Sequence, residues 1–186
     1  MKTLVTGAGG FIGRYLVKKL LEAGHEVSAV DRFSQDKEEY VLELKKNSRI
    51  KVIKADLACR DEIKEQYFKG IDWVFHFGAV SSVAESLQKP LYYHKVNVSG
   101  SFNVFYAALK QNVKKFIYAG SASVYGVSPE IPTTERAPIL LDSPYAVSKF
   151  LGEELVMHFG KVYKLPVVSL RMVSVYGPKL VRGGSY

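Results

Sequence analysis

Five residues of β-forming character, Lys2-Thr3-Leu4-Val5-Thr6, run directly into Gly7-Ala8-Gly9-Gly10-Phe11-Ile12-Gly13, and from Phe11 onward apolar residues recur with helical period. A strand that becomes a helix within so few residues needs backbone that side chains forbid. Gly7 can take a positive φ, Gly10 lets a ligand approach the main chain, and Gly13 lets the helix lie close to the strand. The first N–H groups of such a helix have no intrahelical partner and carry the positive end of its dipole, so the turn suits a phosphate. Glycine occupies many sharp turns, and the identity of any ligand must come from what surrounds this one.

The surroundings alternate. Short β-branched runs near Lys2 to Thr6, Glu26 to Asp31, Ile50 to Lys54, Trp73 to Phe77, Lys115 to Gly120 and Val167 to Met172 are separated by helical segments at Phe11 to Ala23, Lys37 to Lys46, Asp61 to Phe68, Leu91 to Gln111 and Tyr145 to Tyr163. Strands alternating with helices predict a parallel sheet covered on both faces, a doubly wound three-layer α/β/α sheet of Rossmann type. With 186 residues, 47% of them hydrophobic, the chain can bury one sizeable core and is too short for two comfortable domains. Four prolines between Val127 and Pro144 exclude helix and strand there and predict a long loop, a kind of segment that is usually functional.

Asp31 closes the second predicted strand, eighteen positions past Gly13. A carboxylate there accepts hydrogen bonds from the adenosine ribose hydroxyls of a dinucleotide and repels the extra phosphate of NADP, which points to NAD. Arg32 beside it pulls the other way, and Asp31 could also be a simple strand-end turn residue. Asp56, past the third strand, suits either the adenine amino group or the cap of the following turn. The 26 Lys and Arg against 18 Asp and Glu give a formal charge of +8, which would attract an anion or simply solvate the surface. These charges are scattered and no nucleic-acid motif accompanies them, so nucleic acid is not an expected partner. The lone Cys59 rules out an internal disulfide, a metal site is not expected, and no apolar run is long enough to span a membrane; the chain reads as cytoplasmic.

Tyr145 and Lys149 lie four apart at the start of a predicted helix and so share a face. A phenol, with a reference pKa of about 10, becomes a base near neutrality only if ~4 kcal/mol favours phenolate, and a neighbouring ammonium supplies part of that. Ser121 ends the preceding strand, at the sheet edge where open α/β sheets bind ligands. His76, at the end of the fourth strand, reads as a packed residue rather than an acid or base.

Together these motifs make the chain resemble the extended short-chain dehydrogenase/reductases, in their nucleotide-sugar epimerase and dehydratase branch. The resemblance runs through Thr6-Gly7 with Gly10 and Gly13, Asp31, Asp56-Leu57, His76-Phe77-Gly78-Ala79, Asn97-Val98-Ser99-Gly100, Ser121 to Gly126, Ser143-Pro144-Tyr145 to Lys149, and Arg171 with Tyr176-Gly177-Pro178. It implies that Tyr145 deprotonates a sugar hydroxyl while hydride passes to NAD, that Lys149 binds the nicotinamide ribose and depresses the phenol pKa, and that Ser121 binds the reacting oxygen. Gly78 and Ala79 would line the cofactor and Asn97 would steady the structure beneath it. The candidate cofactor set is thus Gly7, Gly10, Phe11, Ile12, Gly13, Asp31, Arg32, Asp56, Leu57, Phe77, Gly78, Ala79 and Asn97 with Tyr145 and Lys149; the candidate substrate set is Ser81, Ser121, Ser123 and Ser174.

Dehydratases of this branch carry an acidic pair after the catalytic hydroxyl, where this chain has Ala122 and Ser123, neither able to act as a general acid or base. The Ser-Ala-Ser-Val-Tyr-Gly form resembles that of UDP-hexose 4-epimerases, which implies oxidation at C4, rotation of the 4-keto sugar and hydride return. Ser174 stands where relatives carry an asparagine, and relatives continue into a C-terminal substrate-binding domain, so residues 1–186 read as the NAD-binding domain with that second domain largely absent. Alternatives are a dehydratase or decarboxylase, a simple reductase, or a module that holds NAD without turnover. Tyr92, Tyr93, Phe102, Phe105 and Tyr106 on one helix, and Val147, Leu151, Leu155, Phe159 and Val162 on the next, either pack inward or pair with a second copy in a homodimer.

Overall fold

The computed structural model describes residues 1–178. Six strands form one parallel sheet: β1 (Lys2–Thr6), β2 (Glu26–Asp31), β3 (Ile50–Lys54), β4 (Trp73–His76), β5 (Lys115–Ser121) and β6 (Val167–Met172), in the spatial order β3-β2-β1-β4-β5-β6. This is the doubly wound order predicted from the alternation. The chain leaves β1 towards β2 and later returns to place β4 on its other side, which opens a crevice between the C-terminal ends of β1 and β4. Successive side chains serve opposite faces: Leu4 joins the core that also contains Val74, Phe105, Phe116 and Val156, while Val5 joins Val17, Leu20, Val27 and Leu44.

Helices α1 (Phe11–Glu22) and α2 (Glu38–Lys45) cover the second of these cores; α5 (Gly100–Lys110) and α6 (Pro144–Tyr163) cover the first. Between them lie α3 (Val83–Gln88) and α4 (Pro90–His94), and α4 runs into α5 through a π turn at Lys95–Ser99. The helix expected over Leu91 to Gln111 forms as one helical run from Pro90 to Lys110, wound more widely at 95–99, where Val96, Asn97 and Val98 are all buried. An α-helix with one inward face cannot bury three consecutive residues, and the wider π turn does. α3 was not foreseen in the sequence. The helix expected at Asp61 to Phe68 does not form either: two short 3₁₀ turns, Arg60–Glu62 and Glu65–Phe68, take its place. Ile63 and Phe68 are both sunk in the core and the Glu62 carboxylate accepts the Asp56 N–H at 2.8 Å, contacts worth more than one marginal helical turn. The proline-rich segment is a loop, as expected, whose Ala137 packs on Val124 and Tyr125.

His76 ties the layers together beneath the crevice. Its Nδ1 lies 2.8 Å from Thr6 Oγ1 and its Nε2 2.8 Å from Ser101 Oγ. Ser101 donates its proton to the Asn97 carbonyl at 2.6 Å and Thr6 Oγ1 accepts the Gly78 N–H at 3.2 Å. Only one tautomer satisfies both contacts, with Nε2 donating to Ser101 and Nδ1 accepting from Thr6. Burial, followed by repulsion from the Lys149 ammonium, pulls the imidazole down to about 3. His76 is therefore a neutral packed residue, as its sequence context suggested, and a second ring proton would break the directed chain. In the unfolded chain the ring titrates near 6.5, so between about 3 and 6.5 the unfolded state binds the extra proton and stability rises with pH. Denaturant melts should gain a few kcal/mol across that interval, and His76→Gln should flatten the slope; an unchanged slope would show that another group carries it.

Candidate functional site

The crevice between β1 and β4 is built by glycine. Gly7 sits at φ +71°, and a Cβ there would stand 2.7 Å from the main chain of Phe77 and Gly78. A Cβ on Gly13 would meet the Gly7 carbonyl at 2.0 Å. The turn therefore presses against both the end of β4 and its own helix with no space for a side chain. The first intrahelical bond at the N-terminus of α1 runs from the Arg14 N–H to Gly10 at 3.0 Å, which leaves the N–H groups of Phe11, Ile12 and Gly13 outside the ladder. Gly10 caps the helix without a side-chain bond, and the first turn holds no acidic residue. Such a cradle, a helix N-terminus with donors outside the ladder and no acid in its first turn, fits a pyrophosphate.

A cleft of about 160 Å³ opens from this turn and is lined by Gly7, Gly10, Asp31, Arg32, Asp56, Leu57, Phe77, Gly78 and Ala79 among the residues expected from sequence. Asp31 is held rigidly: its Oδ2 accepts the Gly9 N–H at 3.0 Å and its Oδ1 the Phe33 N–H at 3.1 Å. One lone pair remains on each oxygen for a ribose hydroxyl. Asp56 caps its own turn, Oδ1 accepting the Ala58 N–H at 2.9 Å, and also borders the cleft, so its two sequence readings are compatible. Arg32 donates from Nη1 to the Tyr92 hydroxyl on α4 at 2.9 Å.

Asn97 does not line the cleft. Fully buried in the π turn, it clamps the loop after β4 by accepting the Val80 N–H and donating to the Val80 carbonyl, both at 2.9 Å, and donates to Ser148 Oγ on α6 at 2.9 Å. It thus joins that loop to the helix carrying Tyr145 and Lys149.

Ser121, Tyr145 and Lys149 meet at the C-terminal edge of β5. Ser121 Oγ accepts the Tyr145 O–H at 3.4 Å and the Ser123 N–H at 3.2 Å, which leaves its own proton for Ser123 Oγ at 2.8 Å. Ser143 caps α6 by accepting the Ala146 N–H at 3.2 Å and so sets where the helix, and Tyr145 in its first turn, begins. Tyr93 packs edge-on against the Tyr145 ring at 6.4 Å between centroids. Lys149, one turn on and 5% exposed, rests its ammonium 4.4 Å above the Tyr118 ring. Burial draws this lysine down to about 8, against the Glu153 carboxylate that raises it. Burial likewise pushes the Tyr145 phenol up, partly offset by its bond with Ser121. Lys149 was expected to depress the phenol; within the protein alone burial raises it and the Ser121 bond is what lowers it, so further positive charge is needed to make the tyrosine a base at neutral pH.

Below this group, Glu153 is 4% exposed and fully paired. Arg171 donates to its Oε1 from Nε at 2.8 Å and Nη2 at 2.6 Å, and Ser169 donates to Oε2 at 2.8 Å. The remaining Arg171 Nη1 donates to the Tyr125 hydroxyl at 2.7 Å. Arg171 therefore pins α6 to β6 and to the turn bearing Ser123. Ser81, after β4, and Ser174, after β6, are both exposed at the same sheet edge.

Sequence reasoning missed Lys37 and Val80, which border the cleft, and the Tyr93 buttress. Val80 directly follows Phe77-Gly78-Ala79 and could have been included on that ground. Nothing local marks Lys37, whose side chain reaches Gly9 only because the segment after β2 folds back. A second depression, at Met157, Lys164 and Pro166, opens at the opposite end of β6 from Ser121 and Tyr145.

The family model described as the NAD dependent epimerase/dehydratase family matches residues 3–185. The UDP-glucose 4-epimerase of Mycolicibacterium smegmatis is 35% identical over 186 residues, covering 96% of this chain and 58% of its own length. Among solved structures, the UDP-N-acetylglucosamine 4-epimerase of Methanobrevibacter ruminantium, in complex with UDP-N-acetylmuramic acid, superposes with a TM-score of 0.90 at 35% identity, over 100% of this chain and 58% of that one. The UDP-glucose 4-epimerase of Thermus thermophilus in complex with NAD gives 0.88 at 34% identity, over 99% and 58%. The chain thus spans a little under three fifths of the length of each. With a glycine cradle at the switch point, a rigid strand-end acid and a Ser-Tyr-Lys group at the sheet edge, the chain belongs to the NAD-dependent epimerase/dehydratase family.

Proposed function

We propose that this chain is the NAD-binding domain of a nucleotide-sugar epimerase that inverts C4 of a UDP-hexose. One observation carries the reading: Ser121 and Tyr145 share a hydrogen bond at 3.4 Å beside a buried Lys149, on the sheet edge where the glycine cleft opens. The relatives' activities and the NAD held by the Thermus thermophilus enzyme support it. Gly7, Gly10 and the first N–H groups of α1 would hold the pyrophosphate, Asp31 the adenosine ribose and Lys149 the nicotinamide ribose. When bound, NAD supplies the acceptor and later the donor of the C4 hydride, and its ring adds positive charge beside Tyr145. The Tyr145 oxygen takes the proton of the sugar hydroxyl and returns it, while Ser121 holds the reacting oxygen in line.

The turn after Ser121 also favours epimerisation over elimination. Water loss from the keto sugar needs an acid and a base beside it, and Ala122 and Ser123 provide neither. Ser81, Ser123 and Ser174 are the residues we assign to the sugar nucleotide on this chain. A module that holds NAD without turnover is the competing reading, favoured by the exposure of Ser81 and Ser174. Incubation with NAD and UDP-glucose, UDP-galactose or their N-acetyl forms, followed by chromatography, should show interconversion of one pair, and Tyr145→Phe should slow it at least ~100-fold with calorimetric NAD affinity kept within a few-fold. NAD binding with no interconversion of any pair would establish the module instead.

We further propose a cytoplasmic homodimer formed through α5 and α6. Val147, Leu151, Met157 and Val162 of α6 are 38%, 41%, 40% and 70% exposed, whereas its inward face is Ala146, Lys149, Gly152, Glu153 and Val156. At the border of this face Phe102 lies 5.5 Å from Phe159, which also packs on the core with Leu155 and stacks on Tyr163 at 5.9 Å. Exposed apolar side chains of this number on one helix, even with Glu154 and His158 among them, are the kind of surface that a second copy covers. Light scattering at micromolar concentration should give twice the chain mass, and Leu151→Glu should halve it; a wild-type monomer would refute the dimer.

A further inference from the structure

The adenosine end of the cleft contains two side chains with opposite consequences. An acid at the end of the second strand binds a free ribose 2′-hydroxyl, whereas an arginine beside it accommodates a 2′-phosphate. Asp31 and Arg32 both border the cleft, so sequence position favours NAD through the acid yet leaves beside it an arginine able to take a 2′-phosphate. The fold treats them differently. Asp31 is fixed at its post by the Gly9 and Phe33 N–H groups at 3.0 and 3.1 Å. Arg32 is drawn across the chain to α4, where its Nη1 donates to the Tyr92 hydroxyl at 2.9 Å. Of the other cations here, Arg14 donates from Nε to the Gly9 carbonyl at 3.0 Å and lies 4.4 Å over the Tyr40 ring, while Lys37 borders the cleft with a point charge that lacks the paired donors of a guanidinium.

We propose that Tyr92 is a cofactor-specificity residue: by holding the Arg32 guanidinium, it denies a 2′-phosphate its bidentate partner and leaves the Asp31 charge to reject NADP. The proposal rests on the dinucleotide reading of the cleft given above. Its physical basis is the rigidity of guanidinium. The group is a planar fork, so fixing Nη1 on the tyrosine fixes where the other N–H groups point, and swinging them onto a phosphate that lies off that direction requires giving up the tyrosine bond. Tyr92 lies 60 residues from Arg32 in sequence, on an element that contributes no other group to the adenosine end. Its hydroxyl is bonded to Arg32 and its ring packs on Tyr93, so it would reach the cofactor site through Arg32.

Removing the hydroxyl is a mild change, because the phenyl ring of Tyr92→Phe keeps its edge-on packing against Tyr93 at 6.3 Å. The chain, Tyr92→Phe and the double variant Tyr92→Phe/Arg32→Ala are each titrated with NAD and with NADP by calorimetry. Losing one hydrogen bond's competition should raise the ratio of NADP to NAD affinity about three- to tenfold in Tyr92→Phe. The gain should vanish in the double variant, and it should shrink with added salt because it comes from a charge pair. If the wild-type chain binds NAD and the ratio does not move in Tyr92→Phe, the role of Tyr92 is overturned while the cofactor site stands. A gain that persists in the double variant also overturns it, since Arg32 would not be its source. Failure of the wild-type chain to bind either dinucleotide overturns the proposal together with the reading beneath it.

Discussion

The contact of Gly7 with the end of β4 governs where everything else can sit. A side chain at Gly7 would stand 2.7 Å from the Phe77 and Gly78 main chain, and one at Gly13 would strike the Gly7 carbonyl. These two tight approaches bring three backbones together at the point where the chain's winding reverses. The cleft is what remains outside them. Its floor is main chain rather than side chains, which gives it both the N–H donors and the closeness that a phosphate requires.

From that floor a continuous set of hydrogen bonds reaches the reactive group. Gly78 donates to Thr6, Thr6 to His76, His76 to Ser101, and Ser101 to the Asn97 carbonyl. Asn97 in turn holds Val80 and Ser148, and Ser148 lies on the helix between Tyr145 and Lys149. Small residues allow the close fit: a Cβ on Gly152 would meet the Tyr118 hydroxyl at 2.4 Å and the Asn97 carbonyl at 2.8 Å. On the far side Arg171 and Glu153 fix the same helix to β6. The phenol and the ammonium are thus positioned from both sides while burial opposes their charged forms. That opposition leaves the phenol favouring its neutral form, a preference that positive charge placed next to it would reverse.

Much of this arrangement was legible in the sequence, and the failures share a cause. All six strands, the helices α1, α2 and α6 and the helical run that contains α4 and α5 follow from periodicity and turn residues, because a sheet buried on both faces leaves an apolar run that local reading can detect. The 60–68 segment misled because Ile63 and Phe68 anchor to a core assembled from distant residues. The π turn at 95–99 was invisible because its reason, the buried amide of Asn97, depends on Val80 and Ser148. The same holds at the site. Gly7, Asp31, Ser121, Tyr145 and Lys149 are marked by spacing, whereas Lys37, Tyr92 and Tyr93 reach their places only through the packing of loops and short helices.

The sequence by itself determined the fold class, the glycine turn at the start of α1, the strand-end acid and the grouping of Ser121, Tyr145 and Lys149, since each is encoded by residue types at fixed separations along one or two elements. Only the tertiary structure decided the state of those groups. Desolvation, which depends on everything packed around a side chain, raised the Tyr145 phenol, lowered Lys149 and kept His76 neutral. Long-range pairing decided that Arg32 turns to Tyr92 and that Glu153 is spent on Arg171. Spacing along the chain specifies which chemical groups are available; only the three-dimensional arrangement specifies their dielectric surroundings and their partners, and those set what the groups can do.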